Sequence, residues 1–350
     1  MDTSEIFAKR LRNARVMKGY SMEDLAKSMD NPVSKMAISK YESGVLKPNS
    51  STLISLSKAL DVPLDYFFRP FIFKIDSIQF RKKSSLPVKK EKSIKEQIVD
   101  IVERYSSIEE ICNASVPFSP IDGEVKDGSD AIEAARKVRA KWNLGSDGIV
   151  NVIAMLEEHG VKIIELEAPS SFDGLSTMVN GIQPVIVLNN SLIPERLRFT
   201  ALHELGHLSM NISATLDKSS SEHICNAFAN EMLIPEREFK KAVGTSRKEI
   251  SYSELAYLQR QFGISCDALM YKARSANVIS ESSYRRFQVK KNSSSIYRRS
   301  VEKSLYPGEK SSRFECLVYQ ALSNNLISTS SAAALLNISV DSLKRSIEFQ

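Results

Sequence analysis

His203-Glu204-Leu205-Gly206-His207 is the stretch of this chain best suited to chemistry. Two histidines four apart on a helix project from one face, one turn above the other, so both imidazoles can reach a single zinc ion. The glutamate after the first histidine then stands where a general base is needed for a water polarised by that ion. The chain holds four histidines (His159, His203, His207 and His223), and two of them are here. In a chain so poor in histidine, the pattern is expected by chance only roughly a few times per thousand sequences. The plainer alternative is an amphipathic helix with two incidental histidines.

Two histidines make half a site, because a catalytic zinc takes a third protein ligand and keeps a fourth position for water. The next helix is expected to start near Ser219-Ser220-Ser221, whose hydroxyls can cap it, and to run to Pro235. It offers Glu222, His223 and Glu231. Glu222 and Glu231 are separated by about 900° of helical rotation and lie on opposite faces, so only one can point at the ion. Glu222 is favoured because Asn226 follows one turn later on its face. The Asn226 side-chain oxygen can accept a hydrogen bond from the remaining ring N–H of a zinc-bound histidine. His223 would instead give a three-histidine site. Ile224, Phe228 and Met232 form a separate apolar stripe, which leaves Glu231 as an expected exposed residue. His159 is expected to be an ordinary residue at a helix end.

The elements that must position these groups begin near Ala131. Helices are expected over Ala131–Trp142, Ile149–His159 and Pro194–Met210. Strands are expected at Val161–Leu166, Phe172–Val179 and Pro184–Leu188. A substrate peptide could lie extended along the strand that contains Gly174 to Val179. Gly206 inside a helix costs about 1 kcal/mol against alanine, which suggests close packing there. No residue is assigned as oxyanion stabiliser; Tyr252, Tyr257 and nearby arginines are the candidates.

The first 68 residues read as short helices. An apolar stripe through Ile6, Leu11 and Ala14 ends near Gly19; Ser21 caps a helix whose first turn carries Asp24; further helices follow over Ser34–Tyr41 and Ser51–Leu60, with a short one opening at Pro63. Arg81-Lys82-Lys83-Ser84-Ser85 and Lys89-Lys90-Glu91-Lys92 are charge-rich and read as linker, with a helix expected around Ile94–Tyr105. Beyond residue 246 the chain turns helical, and Tyr252–Ala273 and Glu315–Ile347 each resemble a small helix-turn-helix. Asn292–Ser300 and Lys310–Ser312 are polar and expected to be mobile. The expected class is therefore α+β, divided into an all-α bundle over 1–68, a charged linker over 69–130, an α+β domain over 131–245 and a helical region over 246–350.

With 42% hydrophobic and 26% charged residues, the 350-residue chain has an ordinary globular composition and room for two or three domains. No apolar run is long enough to span a membrane, and the N-terminus lacks the layout of a secretory signal. Cys112, Cys225, Cys266 and Cys316 are far apart, without a C-x-x-C pair, and read as reduced thiols; a cytoplasmic location is expected. A net charge of +6 is compatible with nucleic acid without requiring it.

Residues 130–240 resemble the ImmA/IrrE family of zinc metallopeptidases. The resemblance rests on Gly174-Leu175-Ser176, Pro184 to Asn189, Arg196 to His207, the pattern Glu222-x-x-Cys225-Asn226-x-Phe228-Ala229, and Met232-Leu233-Ile234-Pro235. It implies a zincin-like domain holding Zn2+ through His203, His207 and Glu222, with Glu204 as catalytic base. Cys225 departs from the alanine usual in the family. The substrate class it implies is a protein, such as a repressor or an antitoxin-like partner.

The opening bundle resembles the XRE (lambda-repressor-like) helix-turn-helix, on Leu25-Ala26, Ile38 to Gly44, Lys47-Pro48 and the leucines of Leu53-x-x-Leu56-x-x-Ala59-Leu60. That resemblance implies an operator DNA partner, with the helix Ser34–Tyr41 in the major groove. Lys35, Met36, Ser39 and Lys40 are then the groove-facing candidates, and Arg10, Arg15, Lys18 and Lys47 the phosphate-neutralising ones. Met22 replaces a glutamine common in the family, which removes one polar contact to DNA. A homodimer fits this picture. Two rival readings are a DNA-binding regulator whose zinc domain senses a partner without cutting it, and an antitoxin-like interaction protein.

Overall fold

The computed structural model describes residues 2–71, 87–179 and 181–348. The basic run Arg81–Ser85 lies outside them. The described residues pack as two units: 2–71, 87–115 and 312–348 in one, 116–311 in the other.

The first unit opens with α1 (Thr3–Met17), α2 (Met22–Ser28), α3 (Lys35–Glu42) and α4 (Ser50–Leu60), then a 3-10 turn, Leu64–Phe68. Local chemistry sets these boundaries. The Ser21 hydroxyl accepts from the Asp24 amide at 3.0 Å, and the Asp24 carboxylate accepts from the Ser21 amide at 2.8 Å, closing a capping box at the start of α2. Ser34 and Asn49 cap α3 and α4 in the same manner. Phe7, Leu11, Leu25, Ile38, Leu56 and Phe67 meet in a common core.

α5 (Val88–Ile111) corrects the linker reading of Lys89–Lys92, which form the start of a long helix. Ile94, Ile98, Val102, Tyr105 and Ile108 recur at helical spacing and are all buried. A charge-rich first turn hides this stripe from a short sequence window. Ser93 of α5 donates to the Met17 carbonyl at 2.6 Å, and Glu103 pairs with Arg10 of α1 at 2.7 Å.

The second unit is α+β. It contains β1 (Glu124–Val125), α6 (Gly128–Lys141), α7 (Val152–Glu158), β2 (Lys162–Leu166), β3 (Gly174–Val179), β4 (Gln183–Asn189), α8 (Pro194–Ser209), β5 (Asn211–Ile212) and α9 (Lys218–Leu233). Then follow α10 (Glu236–Val243), α11 (Tyr252–Phe262), α12 (Cys266–Ser275), α13 (Glu281–Ser293) and α14 (Ser295–Glu302). The sheet order is β2-β4-β3, with β2 parallel and β3 antiparallel to the central β4, so β3 is an edge strand among the described residues. β1 pairs in parallel with β5 just beyond α8. α8 starts on Pro194 and is buried nearly all round, with Leu197, Ala201, Leu202, Leu205 and Leu208 in the core and the polar Glu195, Arg198, His203, Glu204 and His207 buried beside them.

The polar segments expected to be mobile are ordered. Asn292–Ser300 lies largely within α13 and α14, and Ser294 caps α14. Ser311 is held by two carboxylates: its amide donates to the half-buried Glu165 at 2.9 Å and its hydroxyl to the buried Glu157 at 2.6 Å. The stretch 303–311 crosses the start of α8. The Leu305 and Tyr306 amides donate to Glu195 at 3.0 and 3.2 Å, and Glu309 pairs with the fully buried Arg198. Glu309 also accepts from the first amide of α7, Val152, at 2.9 Å, and so acts as a remote cap.

α15 (Arg313–Ser323), α16 (Thr329–Leu336) and α17 (Val340–Glu348) complete the first unit. Leu317, Val318, Ala321, Ala332 and Leu343 pack with Tyr105 and Ile108 of α5, and Arg313 pairs with Glu109 at 2.5 Å. No helix among the described residues is long and apolar enough to cross a membrane.

Candidate metal centre and helix-turn-helix

The crossing of α8 and α9 builds the centre. Gly206 permits it: a Cβ there would sit 3.2 Å from the Phe228 ring and 3.3 Å from the Met210 side chain. Asp217 caps α9 by accepting from the Ser220 amide at 2.9 Å, a role expected of the serines that follow it. The two helices bring His203, His207 and Glu222 together. The Glu222 carboxylate lies 3.3 Å from His203 Nε2 through Oε2, and 3.7 Å from His207 Nε2 through Oε1. Zinc bonds of about 2.0–2.2 Å in a tetrahedron set neighbouring donors about 3.3–3.6 Å apart. The two carboxylate–imidazole separations are close to that, as a zinc-sized divalent ion between these groups would require.

The remaining ring nitrogens face inward partners. His203 Nδ1 lies 2.8 Å from Asn226 Oδ1, and His207 Nδ1 lies 3.3 Å from Cys225 Sγ. His203, His207 and Cys225 also form a buried group whose ligand atoms lie within 4.8 Å of one another, a second conceivable donor set. The two sets use opposite sides of the His207 ring. The Glu222 carboxylate faces the Nε2 atoms of both histidines, whereas Cys225 lies at Nδ1 of His207.

Glu204 is buried, and the Ser176 hydroxyl of β3 donates to its Oε2 at 2.7 Å. Glu204, His207 and Glu222 line a cleft of about 540 Å³ that is bordered by Gly174, Ser176 and Ile212. One wall is therefore the edge strand β3. Gly174 is forced there by close approach, since a Cβ would meet the Val187 carbonyl at 2.8 Å and Thr200 at 2.9 Å.

Several sequence expectations need correction. Glu231 is buried, paired with Arg136 at 3.0 Å, and accepts from the Glu236 amide at 3.0 Å. Beside it, burial lowers the Lys272 ammonium to about 8, against the pull of Glu231 and Glu236. Glu231 is thus a structural anion between α9 and α10. Tyr252 does not line the cleft, and its hydroxyl donates to the Ser300 carbonyl; Tyr257 is exposed away from the cleft. His159 stands at the end of α7 as expected, stacked on Trp142 at 4.2 Å between ring centroids. Sequence reasoning missed the contacts that Ser176 and Cys225 make with Glu204 and His207. Both stood inside quoted motifs, but nothing local marks which side chain faces them.

In the first unit, α3 turns Lys35, Met36 and Lys40 to solvent, with Ser39 half-buried, while Ile38 and Tyr41 hold the helix to the core. Lys47 is exposed. Lys18 is exposed and pairs with Asp61 at 3.2 Å. Arg10 and Arg15 do not fit the phosphate-facing role expected of them. Arg10 is 2% exposed, paired with Glu103, and donates to the Arg69 and Pro70 carbonyls at 3.0 and 2.7 Å. Arg15 makes a two-pronged contact with Glu42 at 2.5 and 2.9 Å, tying α1 to α3. Both guanidiniums lie on the inward side of α1 and meet carboxylates there, while Glu5, Lys9 and Arg12 occupy its exposed face.

A His-Glu-x-x-His centre in an α+β unit, together with a helix-turn-helix in an all-helical one, defines a protein that combines a metallopeptidase domain with a DNA-binding module. The comparisons agree. Residues 156–274 match the IrrE N-terminal-like domain, a peptidase family, and residues 11–67 match the helix-turn-helix family. The chain has an N-terminal XRE-like helix-turn-helix domain and an IrrE/ImmA-like peptidase domain, and both resemblances read from the motifs stand. No curated protein matched the chain.

Proposed function

We propose that the chain is a DNA-binding transcriptional regulator whose peptidase domain cleaves a protein partner of the repressor or antitoxin class. In this reading His203, His207 and Glu222 hold Zn2+, and Glu204 is the catalytic base. The observation that carries it is the convergence of two imidazole Nε2 atoms and the Glu222 carboxylate beside Glu204, in a cleft walled by an open strand edge. When bound, the cation supplies Lewis acidity, drawing a water towards neutrality in pKa and polarising the scissile carbonyl. The chain's own residues supply the rest. The β3 edge offers unpaired backbone groups on which an extended peptide can be held. Glu204, oriented by Ser176, accepts the proton of the attacking water and delivers it to the departing amine. Asn226 accepts from His203 Nδ1–H, which turns Nε2 outward. Lys35, Met36, Ser39 and Lys40 face the major groove, and Lys47 neutralises a phosphate.

The test is Glu204→Gln in the full chain, assayed on the repressor or toxin–antitoxin protein encoded beside its gene. The variant should bind zinc as the parent does and leave the neighbour uncut. Equal regulation by parent and variant, with no cleavage by either, would replace the protease with a partner-sensing domain.

A further inference from the structure

We propose that Cys225 is a positioning residue for the metal centre: its sulfur accepts the Nδ1 proton of His207 and so commits Nε2 of that ring to the cation. This rests on the zinc-peptidase reading above and assigns a part that the reading leaves unfilled.

The argument starts from the two rings. An imidazole that gives one nitrogen's lone pair to a metal carries its proton on the other, and the partner of that proton sets tautomer and orientation. For His203 the partner is Asn226 Oδ1, 2.8 Å from Nδ1. For His207 the atom in the equivalent place is Cys225 Sγ, 3.3 Å from Nδ1. Asn226 and Cys225 are consecutive on α9, and each serves one of two histidines a turn apart on α8. The same helix carries Glu222, whose carboxylate faces both Nε2 atoms at 3.3 and 3.7 Å. One helix thus supplies the donor on the cleft side and both ring-orienting groups on the core side.

The geometry argues against the thiol as a ligand in this arrangement. The two nitrogens of one imidazole point in divergent directions, so an ion on the Cys225 side of His207 would lie on the far side of the ring from Glu222. Cys225 is fully buried, which suits an inward hydrogen-bond partner. A sulfur is a weak acceptor, so the two rings are held unequally, His203 by an amide oxygen and His207 by a softer contact.

The experiment uses the full chain with cobalt(II) in place of zinc, comparing the parent with Cys225→Ser and Cys225→Val. Serine keeps an acceptor at this position, whereas valine fills the space without one. Cobalt affinity is read by competition with a chelator, and thermal unfolding of the metal-free proteins reports on packing alone. The expected result is a loss of about tenfold or more in affinity for the valine variant and recovery to within roughly threefold for serine. The near-ultraviolet sulfur-to-cobalt charge-transfer region should be the same in all three. A charge-transfer band lost in both variants would make Cys225 a ligand and overturn the proposal. Equal affinity in all three would reduce Cys225 to a core-filling residue. Failure of the parent itself to bind cobalt stoichiometrically would instead remove the metallopeptidase reading, and this inference with it.

Discussion

Ser176 on the edge strand donates its hydroxyl to Glu204 on the motif helix, Oγ to Oε2 at 2.7 Å. The strand that walls the cleft is thereby tied to the group expected to move the proton. A hydrogen bond to a charged group contributes about 1.5–3 kcal/mol. Ser176→Ala should therefore slow cleavage of the protein substrate by about tenfold to a hundredfold with zinc affinity unchanged, while Ser176→Thr, which keeps the hydroxyl, should retain most of the rate. Steady-state cleavage by zinc-loaded protein measures this. Full activity in the alanine variant would mean that the contact is incidental.

The strap 303–311 belongs to the peptidase unit, although it lies well beyond the matched residues 156–274. Removing the carboxylate of Glu309 leaves Arg198 buried on α8 without its charge partner and takes the acceptor from the Val152 and Ile153 amides at the start of α7. Glu309→Ala should cost about 3–5 kcal/mol in stability, the usual penalty for orphaning a buried charge. Chemical denaturation of the full chain would show it. A change within experimental error would mean that solvent reaches Arg198 easily.

Two groups of basic residues in the first unit should behave differently. Lys47→Ala should weaken operator binding across sequences and reduce the salt slope by about one, whereas Lys40→Ala should relax the preference for operator over random DNA. Arg10→Ala should instead lower stability by about 3–5 kcal/mol, because the buried Glu103 loses the guanidinium it pairs with. Binding titrations at several salt concentrations, run beside thermal melts, separate the two effects. A salt-slope change in a fully folded Arg10 variant would contradict its interior role.

Burial pushes the Glu96 carboxyl from 4.5 up to about 7, opposed by Arg10 and Arg12 and reinforced by Glu103. The folded chain therefore holds the proton more tightly than the unfolded chain between these values. Stability is fully present below about pH 4.5 and falls as pH rises through 7. Glu96→Gln should remove this slope, leaving the variant more stable than the parent at pH 8 by about 1–2 kcal/mol and nearly equal at pH 4.5. Melts of parent and variant across pH provide the comparison, and parallel curves would place Glu96 in water.

The sequence by itself determined what is local. A four-residue histidine spacing, a proline at the start of α8, the Ser21–Asp24 capping box and the apolar stripes of α1 and α9 depend on neighbours within one or two turns, so they can be read without a fold. Rotation about a single helix separated Glu222 from Glu231. The tertiary structure alone decided which charges face inward. Arg10 meets Glu103, Arg198 meets Glu309, Glu231 meets Arg136, and Ser176 reaches Glu204, each across a distance in sequence over which no periodicity carries information. A buried ion pair looks like two solvated charges until the chain closes around it, because its cost and its compensation come from residues brought together only by folding. The two ring partners on α9 show the same limit: Asn226 was legible as an amide one turn from Glu222, whereas Cys225 became a partner only once α8 and α9 crossed at Gly206.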